Sequence, residues 1–153
     1  MENIYYLGLG SNMGDLKANL ETAIEKINSI TNSGVIKVSS FYSTKAWGYA
    51  EQADFLNAVI EVKTDYSPEE FLSFTQNIEK EMGRVKNFKY GPRVIDIDIL
   101  FYGDKIINVP HLTIPHPEIE NREFVLCPLN EIAPDFVHPV LKKSIKNIKR
   151  SNE

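Results

Sequence analysis

Residues 93 to 99 read Arg-Val-Ile-Asp-Ile-Asp-Ile. This alternation sets Asp96 and Asp98 on one face of a predicted strand and Ile95, Ile97 and Ile99 on the other. Side chains two apart on a strand share a face, with Cα atoms roughly 6.6 Å apart, so two anions stand together and call for a cation. Oxygen-only ligands favour a hard divalent ion such as Mg2+. The competing reading is the wet face of an amphipathic strand whose carboxylates pair with nearby Arg or Lys.

Just upstream lie four cations, Arg84, Lys86, Lys89 and Arg93, with no acid among them. Arginine grips phosphate oxygens through paired donors and lysine as a compact charge. Phe88 and Tyr90 are interleaved with them and could cover a ligand, and the absence of an apolar period predicts a mobile loop. Taken alone, a basic loop is a solvated loop. Here it leads straight into the aspartate strand, so phosphate-binding cations and metal-binding carboxylates meet, the arrangement that phosphoryl transfer requires. Two carboxylates could also bridge two ions about 3.5 to 4 Å apart.

Other motifs are weaker. Gly8, Gly10 and Gly14 lack the Gly-Lys-Ser/Thr ending of a P-loop and read as a strand-to-helix turn. His111, His116 and His138 do not fall at zinc-ligand spacing. His116 sits between Pro115 and Pro117, six residues before Arg122, a rigid frame that could aim a donor at phosphate; each histidine alone reads as structural. Cys127 is the one cysteine, which excludes an internal disulfide or a cysteine zinc cluster and reads as a small buried hydrophobe.

The elements that must position these residues follow from periodicity. Ile4 to Gly10 reads as a buried strand. Leu16, Leu20, Ala23, Ile24, Ile27 and Ile30 recur at helical spacing, and Asn32-Ser33-Gly34 is the expected stop. Val35 to Thr44 and Phe55 to Thr64 read as strands, with a loop from Lys45 to Asp54. Ser67-Pro68-Glu69-Glu70 opens a helix with a capping box. Phe71, Phe74, Thr75, Ile78 and Met82 are its expected buried stripe, and Gly83 its end. The strand at 94–102 is expected to turn at Gly103-Asp104-Lys105 into a hairpin with Ile106 to Val109. Beyond Pro110 the proline-punctuated chain predicts fixed irregular structure and short helices, and 141–153 a weak basic helix or frayed tail. The order β, α, β, β, α, β with added strands predicts an α+β fold, a ferredoxin-like antiparallel sheet with helices packed on it as a three-layer α/β/α sandwich.

With 153 residues and 42% hydrophobic content, one domain with one core is expected over 1–153. The net charge of −4 argues against general affinity for nucleic acid or an anionic membrane, so an anion site must be local. The amino terminus lacks a basic stretch followed by a long apolar one. No apolar run approaches the roughly 20 residues that span a bilayer. A cytoplasmic protein is expected, acting as a monomer on small molecules, with no nucleic-acid or membrane partner.

At Gly91-Pro92-Arg93-Val94-Ile95-Asp96-Ile97-Asp98-Ile99-Leu100 the sequence resembles the signature of the 6-hydroxymethyl-7,8-dihydropterin pyrophosphokinases, enzymes of folate biosynthesis. Gly10-Ser11-Asn12, Ser40-Phe41-Tyr42, Phe55-Leu56-Asn57, Gln76 with Glu79, Gly83-Arg84-Val85, Pro115-His116 and Asn121-Arg122 appear in the family's order, so the resemblance runs over about residues 4 to 139. It implies transfer of pyrophosphate from ATP, the co-substrate, to the pterin hydroxymethyl group, with release of AMP. It also implies two Mg2+ ions on Asp96 and Asp98, with Asp96 near the accepting hydroxyl. By the same resemblance Arg84, Lys86, Arg93, His116 and Arg122 line the phosphate path, with Arg84 and Arg93 catalytic alongside the aspartates. Gln76, Glu79, Ile99, His111 and Thr113 help hold the nucleotide, some through backbone atoms. Asn57 reads the pterin edge with backbone groups around Thr44 and Trp47, while Phe55 and Phe124 sandwich the ring. Lys86 stands where many members carry arginine, Tyr90 where tryptophan is common, His111 in place of arginine and Lys45 in place of proline.

Two other readings stay open at this stage. One is an RNA-binding sheet using Phe88, Lys89 and Tyr90, against which stand the overall acidity and the two aspartates. The other is a catalytically silent nucleotide sensor that keeps the site but has no acceptor.

Overall fold

The computed structural model describes residues 3–44, 54–83 and 94–152. The expected loop at Lys45 to Asp54, apart from Asp54, and the expected basic loop 84–93 lie outside these residues. The strand β1 (Asn3–Ser11) leads into helix α1 (Leu16–Asn28), and β2 (Ser33–Val38), β3 (Tyr42–Thr44) and β4 (Phe55–Thr64) precede helix α2 (Pro68–Glu81). Then come β5 (Asp96–Tyr102), β6 (Ile107–Val109), β7 (Leu112–Ile114), a 3-10 turn (Ile119–Asn121), α3 (Glu123–Ile132) and α4 (Ile145–Ser151).

The main sheet has the order β2-β4-β1-β5, with β3 also on β4, and every pairing is antiparallel. This is the expected ferredoxin-like arrangement. Alternation along the two central strands divides the core between the faces. Tyr5, Leu7, Leu9, Ala58, Ile60 and Val62 pack with Leu20, Ala23, Ile27, Phe71 and Ile78 of α1 and α2. Tyr6 and Val59 pack on the opposite face with Val125, Leu126 and Leu129 of α3 and Ile145 and Ile148 of α4. Helices therefore cover both sides, as the three-layer expectation required.

Local chemistry explains where elements start and stop. Asp15 caps α1 by accepting from the Ala18 N–H, and the capping box of α2 is complete, Ser67 accepting from the Glu70 N–H and Glu70 from the Ser67 N–H. Gly83, at φ +92°, closes the turn after α2 in a conformation that glycine adopts without steric cost.

Five expectations require correction. Helix α1 ends at Ser29, not at the Asn32-Ser33-Gly34 stop; Asn32 takes the left-handed turn (φ 57°), and Ser33 and Gly34 already pair with β4. The strand expected from Val35 to Thr44 is broken at Ser39–Phe41, where the Ser39 hydroxyl replaces a ladder carbonyl by accepting from the Val59 N–H at 2.9 Å. Phe74 is exposed on α2, where it meets the ring of Tyr66 at 4.7 Å, while Glu79 is buried in its stead. Gly103 turns the chain as expected, but Ile107–Val109 pairs with Leu112–Ile114 and not with β5, whose ladder partner is β1. Of the two readings of 141–153, the short basic helix is the one observed: Ser144 caps α4, and Ile145 and Ile148 are buried. The fifth correction is Cys127, which is half-buried instead of a buried hydrophobe, its Sγ 3.3 Å from Glu123 Oε2. Among the described residues no helix is long and apolar enough to cross a membrane.

Candidate active site

The alternation of β5 is realised. Ile95, Ile97 and Ile99 are buried among α1 and α2 side chains, and Asp96 and Asp98 turn to the face that carries α3. Leu100 is an extra residue opposite the Tyr6–Leu7 step, since Tyr6 pairs with Phe101 and Leu7 with Ile99. This bulge lets Leu100 and Phe101 both enter the α3-side core. The aspartates thus stand just before a fixed, fully buried stretch of strand.

Residues directly opposed in neighbouring strands share a face, and the register brings the sequence-predicted groups into one transverse row. Tyr42 of β3 pairs with Asn57 of β4, Asn57 with Gly10 of β1, and Gly10 with Asp96 of β5. One step along, Val59 and Asp98 flank Gly8. Strand spacing of about 4.8 Å places Asn57 and Asp96 about 10 Å apart with only glycine between them. A Cβ at Gly10 would meet Asn57 Oδ1 at 3.1 Å and the Phe55 ring at 3.5 Å, so the row has a flat floor walled by those two side chains. Asn57 is buried, and its Nδ2 donates to the Tyr42 carbonyl at 3.4 Å. Thr44 faces Phe55 across the β3–β4 pair.

Beside the aspartates, the His116 N–H donates to the Leu100 carbonyl at 3.1 Å, and His116 Nδ1 accepts from the Glu118 N–H. Burial lowers the His116 pKa; the Asp98 charge acts against that shift and the Arg122 charge adds to it. His116, Asp98 and Arg122 therefore share one electrostatic environment. Arg122, at the start of α3, holds its guanidinium 5.5 Å from the ring centre of Phe124, a cation–π contact.

On the other side of β5, Glu79 is buried and its Oε2 accepts from the Ile97 N–H at 2.8 Å. Its observed bond is to strand backbone. Ile97 thus points its backbone away from β1, and Ile99, two residues on, shares that outer edge while its side chain is buried. Gln76 is exposed on α2 and Thr113 exposed on β7. His111 Nε2 lies 3.4 Å from Glu69 Oε1, joining the β6–β7 turn to the start of α2. Trp47, Arg84, Lys86 and Arg93 lie outside the described residues.

Two features of the site escaped sequence reading. The floor at Gly10 needs the strand register to be seen. Glu131 of α3 accepts from the Ser40 N–H at 2.9 Å, the Ser40 hydroxyl at 2.9 Å and the Tyr42 hydroxyl at 2.6 Å, contacts 89 to 91 residues apart in sequence. No local motif announces such a contact.

The donor set suits a hard cation. Asp96 and Asp98 offer oxygen alone, and among the described residues no cluster of three or more His, Cys, Asp or Glu encloses a complete metal cage. Two carboxylates with further positions left to phosphate oxygens and water is the usual pattern for Mg2+.

The family model described as 7,8-dihydro-6-hydroxymethylpterin-pyrophosphokinase matches residues 6–134. The chain is 46% identical over 147 residues to the 2-amino-4-hydroxy-6-hydroxymethyldihydropteridine pyrophosphokinase of Aquifex aeolicus, covering 96% of this chain and 91% of that one. It is 49% identical over 140 residues to the folic acid synthesis protein fol1 of Pneumocystis carinii, of which it spans 19%. A crystal structure of Plasmodium falciparum HPPK-DHPS superposes with a TM-score of 0.79 at 20% identity, over 99% of this chain and 45% of that one, a likeness of fold. Match length and identity together show that the chain belongs to the 7,8-dihydro-6-hydroxymethylpterin-pyrophosphokinase family.

Proposed function

We propose that the protein transfers the β,γ-pyrophosphoryl unit of ATP to the hydroxymethyl group of 6-hydroxymethyl-7,8-dihydropterin, giving AMP and the pterin diphosphate, as a single monomeric cytoplasmic domain. The observation that carries this reading is the row Asn57–Gly10–Asp96. A flat bicyclic ring laid over Gly10 reaches a hydrogen-bonding amide at one end and the aspartates at the other.

In this reading Asn57 and backbone groups around Thr44 and Trp47 read the pterin edge, and Phe55 and Phe124 cover its faces. Asp96 accepts a hydrogen bond from the attacking hydroxyl. Asp96 and Asp98 would hold two Mg2+ ions, which would supply positive charge to offset that of the phosphates. The hydroxyl oxygen attacks the β-phosphorus in line, and the bond to the oxygen that stays with AMP breaks. Arg84, Lys86, Arg93, His116 and Arg122 line the phosphate path and offset developing charge. Gln76, Glu79, Ile99, His111 and Thr113 hold the nucleotide, Ile99 through its backbone. His111 can do so only by leaving or sharing Glu69, and Glu79 is already committed to the Ile97 N–H. Most of the rate advantage comes from positioning and charge neutralisation, since little covalent chemistry is left to the protein.

Calorimetry tests the arrangement. The pterin is expected to bind measurably to protein loaded with Mg2+ and a non-hydrolysable ATP analogue, and more weakly without them. Absence of pterin heat in the loaded protein contradicts the site, and Mg2+-independent binding of RNA in its place favours the nucleic-acid reading.

A further inference from the structure

The carboxylate of Glu131 sits between two parts of the molecule that the proposed pterin pocket needs to hold in register. Strand β3 has three residues and follows the break at Ser39–Phe41, so the β4 ladder fixes it weakly on its own. Glu131 closes the break from outside: both of its oxygens lie within 3.1 Å of the Ser40 N–H nitrogen, the Ser40 hydroxyl donates at 2.9 Å and the Tyr42 hydroxyl at 2.6 Å. Three donors converge on one carboxylate, and hydrogen bonds to an ionised acceptor are the stronger kind.

The consequences pass in two directions. The Tyr42 carbonyl, on the residue so fixed, accepts from Asn57 Nδ2, which sets that amide and directs Oδ1 over the Gly10 floor. Glu131 also lies seven residues after Phe124 on α3, on the same helical face about 10 Å along the axis. One carboxylate thus ties the helix that carries Phe124 to the strands that carry Asn57 and Phe55. We infer that Glu131 is a positioning residue of the pterin pocket, setting the Asn57 amide and the separation of Phe55 from Phe124 without touching substrate. The inference rests on the assignment of Asn57, Phe55 and Phe124 to the pterin.

The test is Glu131→Ala, with Glu131→Gln as a second variant that keeps the side-chain volume but cannot accept from all three donors. Two readouts separate positioning from general damage. In the ligand-free protein, the Asn57 side-chain amide signals in 15N–1H spectra are expected to shift, while those of Asn19, bonded to Ser11 and Met13, stay in place. In protein loaded with a non-hydrolysable ATP analogue and Mg2+, the Kd for 6-hydroxymethyl-7,8-dihydropterin is expected to rise about tenfold, with nucleotide Kd within about twofold of the wild type. An unmoved Asn57 amide, an unchanged pterin Kd, or an equal loss of nucleotide binding overturns the inference. If the wild-type protein itself fails to bind the pterin, the substrate assignment falls, and the Asn57 signals still decide whether Glu131 sets that amide.

Discussion

Asp98 is an exposed side chain on an edge strand, so its replacement leaves the core untouched. Asp98→Ala is expected to cut turnover by about a thousandfold while the melting temperature moves by no more than about 4 °C; activity near wild type rejects the metal role. At Gly10 the cost is steric. The added methyl of Gly10→Ala would press on Asn57 Oδ1 at 3.1 Å and on Phe55, so KM for the pterin should rise while KM for ATP holds. Tyr42 offers a spectroscopic check. Its hydrogen bond to Glu131 pushes the phenol pKa up to about 12 from 10.0, and hydrogen bonds from Tyr42 and Ser40 outweigh burial to hold Glu131 below its ordinary value of 4.5. A raised phenol pKa means the contact contributes fully below pH 10.0 and is lost as pH rises through about 12. The lowered carboxyl pKa means it contributes above pH 4.5 and is lost as pH falls through the lowered value. Burial also pushes the Tyr5 and Tyr6 phenols up, so the check is selective: in a titration of 13C-labelled tyrosines, with the Tyr42 signal assigned by its loss in Tyr42→Phe, that ring should ionise late and return toward 10.0 in Glu131→Gln while Tyr5 and Tyr6 stay late.

At the scale of elements, strong local codes were legible and partner choice was not. The capping box at Ser67 and Glu70 is written in adjacent residues and appears in the structure; Ser67→Ala should cost about 1 kcal/mol in chemical denaturation. Alternation placed Asp96 and Asp98 correctly because each strand face is either buried or not. The Leu100 bulge is silent in the sequence, since an apolar residue suits either side of a strand whose continuation is buried on both. Gly103-Asp104-Lys105 has the chemistry of a hairpin turn, yet β5 pairs with β1 and β6 finds β7, choices that depend on segments distant in sequence. Helix α4 shows two buried isoleucines in seven residues, too few to display a period. Its docking should nevertheless matter, and Ile148→Ala is expected to lose about 2 to 4 kcal/mol of stability by urea unfolding.

For the whole molecule, the order of elements was enough to give an antiparallel sheet covered on both faces, and that sheet explains why the site forms where it does. Every group that the row brings together comes from a different strand: Tyr42, Asn57, Gly10 and Asp96. Segment 45–53 links β3 to β4 and segment 84–93 leads into β5, and the sequence assigns to them Trp47, Arg84, Lys86 and Arg93. The proposed nucleotide side was less legible, because Glu69 and Glu79 make tertiary contacts that sequence spacing does not encode. The most direct test is the product balance of the purified protein incubated with ATP, Mg2+ and 6-hydroxymethyl-7,8-dihydropterin. AMP and the pterin diphosphate should form in equal amounts and stop on addition of a chelator; ADP with a pterin monophosphate, or no AMP at all, contradicts the account.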